Sequence, residues 1–98
     1  MPAMCIVFEK IHDQEKFDEY RSGVLATIEP YGGRFLVRGG EHVVLEGETD
    51  YERIVVLEFD SKEITLEWYN SPAYQAVLPL RLGATDCLFI VVDGVAPA

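Results

Sequence analysis

The chain has 98 residues, 49% of them apolar, which fits one domain with its own core and leaves no room for a second. Its formal net charge is -9, with 17 acidic against 8 basic residues. That balance opposes binding to nucleic-acid phosphates or to an anionic lipid surface, so neither is expected as a partner. No run approaches the ~18 apolar residues of a membrane helix.

In chain order, Met4 to Ile11 (MCIVFEKI) is rich in β-branched and aromatic residues and predicts the first strand. Asp13 offers an N-cap, with Glu15 favourable in the first helical turn. Phe17, Tyr20, Val24 and Ile28 then recur at helical spacing and predict one amphipathic helix. Pro30 stops it, and Tyr31-Gly32-Gly33 turns the chain. Arg34 to Arg38 (RFLVR) predicts the second strand, with Gly39-Gly40 expected to form a bulge. Val43 to Gly47 (VVLEG) reads as a short strand or β-arm, and Glu48 to Glu52 as a polar turn. Arg53 to Phe59 (RIVVLEF) is the clearest strand in the chain. Ser61 caps a second helix bearing Trp68 and Tyr69. Ser71-Pro72 starts a further short helix with Tyr74, Val77 and Leu78 inside, which Pro79 is expected to end. Cys87 to Val92 (CLFIVV) is the last strand, and a loose tail is expected from about residue 93.

The order βαββαβ predicts an α+β, ferredoxin-like fold over residues 1–98: a four-stranded antiparallel sheet with its helices on one face. Strand side chains alternate between faces. Val55, Leu57 and Phe59 are assigned to the helix side, with Phe35, Val37 and the bulkier first-strand set Met4, Ile6 and Phe8. The other face then carries Val7, Leu36, Ile54 and Val56 together with Glu9, Arg34, Arg38 and Glu58. A half-apolar face suits a partner better than water, and a second copy of the chain is the economical one. A homodimer is therefore expected.

Arg38 and Glu58 are expected on paired strands. Two readings stay open for them: a structural ion pair that fixes register, or a polar anchor for an anionic or carbonyl-bearing ligand. Arg34 shares their face. Trp68, Tyr69 and Tyr74 read as core packing or as the walls of a pocket between helices and sheet, with Tyr31 at its mouth. Arg81 is read as meeting the carbonyl end of its helix. His12 and His42 have no nucleophile or carboxylate partner at a fixed spacing. Cys5 and Cys87 read as reduced thiols of a cytoplasmic protein, and no metal-ligand spacing or cofactor fingerprint is present.

Taken together, YGGRFLVRGG (Tyr31 to Gly40), the LEG at Leu45 to Gly47, RIVVLEFDS (Arg53 to Ser61), EWYNSPAYQ (Glu67 to Gln75) and Arg81 resemble the domain of unknown function 1330 family, in the dimeric α+β barrel superfamily. The resemblance runs from about the first strand to the last. It implies the ferredoxin-like fold and pairing of two sheets as a dimeric α+β barrel. That superfamily includes isomerases, small monooxygenases, cyclases and members with no known activity, so the resemblance implies a fold rather than a reaction. The expected function is a small dimer that holds a partly apolar, anionic metabolite between sheet and helices. Tyr31, Arg34, Arg38, Glu58, Trp68, Tyr69 and Tyr74 are the candidate contacts. The alternatives are a non-catalytic structural dimer and a cofactor-free isomerase, lyase or monooxygenase, in which Glu58 would act as base and Arg38 would stabilise the developing charge.

Overall fold

In the computed structural model, which describes residues 1–95, the chain folds as β1 (Ala3–Ile11), α1 (Gln14–Ile28), β2 (Arg34–Arg38), β3 (Arg53–Phe59), α2 (Lys62–Tyr69), α3 (Pro72–Ala84) and β4 (Thr85–Asp93). The expected loose tail thus begins inside β4, and its last residues, 96–98, lie outside the described part. All pairings are antiparallel, and the sheet order is β2-β3-β1-β4. This is the expected ferredoxin-like arrangement.

The helices start where short polar side chains satisfy their first free amides. The Asp13 carboxylate accepts from the Lys16 amide at 3.1 Å, Ser61 Oγ from Ile64 at 3.1 Å, and Ser71 Oγ from Tyr74 at 3.2 Å. One face of α1 buries Phe17, Tyr20, Val24 and Ile28, as its spacing predicts. Trp68 of α2, and Tyr74 and Leu78 of α3, complete the core above Cys5, Leu57 and Phe59. The Trp68 ring lies 4.2 Å from that of Tyr74 and 5.2 Å from that of Phe59, centre to centre.

Several expectations are corrected. The two faces of β1 are reversed: Ala3, Cys5, Val7 and Glu9 are buried beneath the helices, while Met4, Ile6 and Phe8 lie on the other side. The β1–β3 register explains this, because Cys5 stands opposite Leu57 and Val7 opposite Val55. Small side chains there leave room for the aromatic layer above. In β2 the bulge falls at Leu36, between Phe35 and Val37, and not at Gly39-Gly40. One extra residue inverts every later side chain of a strand. Val37 therefore turns to the outer face opposite Val56, and Arg38 turns inward opposite Val55.

No strand forms between Arg38 and Arg53, so Val43 to Gly47 is neither a strand nor a paired arm within the subunit. Finally, α3 runs through Pro79 to Ala84. Pro79 is on the exposed side, where solvent can replace the lost hydrogen bond, while Leu78 and Arg81 are buried on the inner side.

The turn into β2 needs glycine at residue 33 for space. A Cβ there would come within 2.6 Å of both Ile28 Cγ2 and Phe59 Cε1 in the core. Gly33→Ala is expected to cost about 1–3 kcal/mol through overpacking. Gly40→Ala, with no atom within 4 Å of its added carbon, should stay within about 1 kcal/mol of the parent. Urea denaturation midpoints of the two variants check this; equal losses would mean the close approach at Gly33 is relieved by relaxation.

Candidate functional site

A cavity opens between α1, α2, α3 and the sheet. Its enclosed centre is about 40 Å³, within about 430 Å³ of free space once the open mouth is included. The centre alone accommodates only a few waters. Apolar walls come from Phe17, Val55, Leu57, Trp68 and Phe89. The polar lining is lopsided in charge: Arg21, Arg38, Arg53 and Arg81 are four of the five arginines in the chain, and Glu9 is the single carboxylate among them.

Each charged group arrives from a different element. Glu9 is the last fully buried residue of the inward row of β1 and is 2% exposed. Arg53 opens β3 directly opposite it, and its Nε donates to Glu9 Oε1 at 3.2 Å. Gly39 is where the chain lets Arg53 lie flat: its φ is 73°, and a side chain there would collide with the guanidinium. Arg81 comes from the last turns of α3 and is also 2% exposed. Its Nη1 donates to Cys87 Sγ at 2.7 Å, its guanidinium carbon lies 5.1 Å from the Phe89 ring centre, and its Nε has no partner among the described residues. Arg38 lies 4.3 Å over the Phe35 ring. Arg38 and Arg21 are exposed and form the rim of the mouth.

Burial governs the ionisation of the interior. Glu9 is pushed above the ordinary carboxylate value by desolvation, against the opposing pull of Arg53 and Arg81. Desolvation raises Tyr20 and Tyr74 as well, and their hydroxyls share a hydrogen bond at 3.0 Å. The Cys5 thiol is pushed up to about 12 by burial, which keeps it protonated and inert. Trp68 Nε1 donates to Thr27 Oγ1 at 3.1 Å, so its indole is held in place.

Of the residues singled out in the sequence, Arg38 and Trp68 meet at the cavity. Tyr74 stands behind Tyr20, which lines it. Tyr69 packs at the side of Trp68 and Phe89, and Tyr31 lies partly buried at the core's edge. Glu58 and Arg34 are elsewhere. They stand opposite one another on the outer face of β3 and β2 and form an ion pair, with Asp60 at 3.8 Å from Arg34. The expected facing of Arg38 and Glu58 does not occur, because the register sets Arg34 opposite Glu58 and Arg38 opposite Val55, and the bulge at Leu36 further sends Arg38 to the helix side. His12 is exposed, 4.0 Å from Asp86. Among the described residues there is no group of three or more potential metal ligands and no helix long and apolar enough to cross a membrane.

The sequence reading passed over Glu9, Arg21 and Arg81 as cavity residues. A signal for Glu9 was present. When β1 and β3 run antiparallel with Cys5 opposite Leu57, their ends bring Glu9 against Arg53, a complementary cross-strand pair. Arg81 carried a weaker sign, four residues before the first residue of β4 and three beyond buried Leu78 on the same helix face.

With this geometry, the chain belongs to the family described as Domain of unknown function (DUF1330), which matches residues 2–95. A similar solved structure is a protein of unknown function from Rhodopseudomonas palustris, at 18% identity, TM-score 0.81, covering 98% of this chain and 84% of that one. A dimeric ferredoxin-like protein of unknown function from Jannaschia sp. CCS1 is similar at 10% identity, TM-score 0.72, covering 96% and 100%. SnoaB, a cofactor-independent oxygenase from Streptomyces nogalater, is similar at 10% identity, TM-score 0.65, covering 98% and 95%. At these identities the likeness is one of fold. No curated protein matches the chain.

The position of Glu9 gives a signed pH dependence. Its carboxyl sits at 4.5 in the unfolded chain and higher in the fold. Between those values the folded chain holds a proton that the unfolded chain releases. Glu9 therefore makes stability fall as pH rises from 4.5 through its folded pKa, and the penalty is relieved below 4.5. The unfolding free energy of the parent minus that of Glu9→Gln should accordingly shrink as pH rises above 4.5, measured by urea titration. A difference that grows over that window would mean that Arg53, Arg81 and Arg21 outweigh burial.

Proposed function

We propose that the protein is a small homodimer that binds, in each subunit, a partly apolar anionic metabolite between the helices and the sheet. The observation that carries this is the segregation of charge. A chain of net charge -9 turns four of its five arginines toward one cavity that holds a single carboxylate. Guanidinium groups in an apolar, partly desolvated space favour a planar anion such as a carboxylate. Arg38 and Arg53 are the anion contacts in this reading, with Trp68 and Phe17 as walls and the Tyr20–Tyr74 hydroxyl pair behind them.

Dimerisation rests on the uncovered face of the sheet. Ile6, Phe8, Ile54, Val56, Leu88 and Ile90 make it largely apolar, and the last two are exposed. The similar Jannaschia protein is dimeric. In this reading the Arg34–Glu58 pair sits at the edge of the interface, and Tyr31 and Tyr69 support the pocket wall. Reduced Cys5 and Cys87, with no disulfide between them, suit a cytoplasmic protein. A cofactor-free enzyme is the second reading, favoured by the buried carboxylate Glu9 in the same cavity.

Two outcomes are expected. In thermal unfolding, benzoate or phenylpyruvate should raise stability by about 2.7 kcal/mol at one hundred times its dissociation constant, while benzamide should not. Arg53→Ala should weaken that affinity roughly ten- to a hundredfold. An equal shift with benzamide would refute an anion site. In native mass spectrometry of protein taken straight from cells, the parent should be dimeric. Ile90→Glu should be monomeric, and an unchanged dimer would reject this face as the interface.

A further inference from the structure

We infer that Glu9 is the general base of a proton-abstraction site for small 2-oxo acids and related carboxylates that bear a hydrogen on the carbon next to a carbonyl. This rests on the reading of the cavity as an anion site and adds a reaction to it.

The first argument is the incompleteness of the Glu9 shell. An ionised carboxylate accepts about four hydrogen bonds. Glu9, 2% exposed, receives one among the described residues, from Arg53 Nε at 3.2 Å. A buried carboxylate kept for structure alone is normally surrounded by donors. The remaining lone pairs of Glu9 belong to a group that lines the cavity. The second argument is independent of the first. Arg81, also 2% exposed and lining the same cavity, has a buried Nε with no acceptor among the described residues. A donor left without an acceptor in the interior costs free energy that an oxygen of a bound molecule would restore. One acceptor with spare capacity and one donor without a partner thus share the same small, largely apolar space. That space supplies what enolisation needs.

The step balances without any co-reactant. A substrate carboxylate is held at Arg38 and Arg53. A Glu9 carboxylate oxygen takes the proton from the carbon beside the substrate carbonyl. The C–H electron pair becomes a C=C bond, and the carbonyl π pair moves to its oxygen. The resulting enolate oxygen accepts from Arg81 Nε. Return of that proton to a conjugated carbon gives isomerisation, and return of a proton that the Glu9 carboxyl has first traded with solvent gives exchange or racemisation at the original carbon, all with no net change in oxidation state. Desolvation makes Glu9 a stronger base than an exposed carboxylate, and the facing guanidiniums offset the charge that moves to oxygen. The wall formed by Phe17, Trp68 and Phe89 favours an aromatic or branched group on the substrate over a small polar one.

The test uses the full-length protein in D2O with phenylpyruvate and 2-oxobutanoate as probes. Loss of the methylene signal is followed by proton NMR, and thermal shift is read on the same samples. The parent should accelerate exchange over buffer. Glu9→Gln should lower that rate at least about a hundredfold while keeping the thermal shift. Should Glu9→Gln not fold, Glu9→Asp, whose carboxylate stands back by one methylene, should keep the shift and lower the rate. Exchange that survives loss of the Glu9 carboxylate would overturn its role. A thermal shift with no exchange in the parent would overturn the base and leave the anion site standing. Neither shift nor exchange would overturn both.

Discussion

The antiparallel register between β1 and β3 is the constraint on which the rest of the subunit depends. It sets Cys5 against Leu57 and Val7 against Val55, so the middle of the sheet presents a shallow apolar floor to the helices. Trp68, Phe17 and Tyr74 then have room to pack above it. The same ladder ends with Glu9 against Arg53 under the helices rather than in water. An ion pair in that position gives up hydration on both sides, so it is a poor source of stability. Its contribution is to fix two opposite charges at the edge of an apolar cavity, on rigid strands.

The bulge at Leu36 adds to that arrangement. Without it, β2 would carry Arg38 on the outer face beside Arg34, where the dimer reading puts the partner sheet. With it, Arg34 stays outside and pairs with Glu58, while Arg38 joins the cavity rim. One inserted residue thereby separates two arginines only four positions apart into two environments. The outer pair is a surface contact of small energetic weight. The inner residue stands exposed at the rim of the mouth, beside the apolar cavity walls.

The distribution of charge follows. Most carboxylates are on the exposed surface, where salt screens them within about 8–10 Å. The arginines are concentrated around one opening and its interior. An anion arriving at the mouth would meet Arg21 and Arg38 at short range, with Asp18, 3.8 Å from Arg21, offsetting part of that attraction.

Much of the architecture was legible in the sequence. Period-two runs marked the strands, the spacing of Phe17, Tyr20, Val24 and Ile28 marked α1, and Asp13, Ser61 and Ser71 marked the helix starts, because these signals are local. Connection order then gave the ferredoxin-like sheet. The candidate site was only half legible. Alternation says which residues share a face but not which face turns inward. Side-chain bulk misled in β1, where the helices supply the volume and the floor supplies the gaps. The bulge at Leu36 has no marker such as glycine, so the inward turn of Arg38 emerges only from its pairing with β3. Helix α3 passes Pro79 because Leu78 and Arg81 are buried on its inner side, a tertiary gain that local propensity does not contain. By itself the sequence determined the elements, their order and the family. Which charges meet was decided by register and packing, since an ion pair or a cavity is a relation between distant segments and exists only once they are brought together.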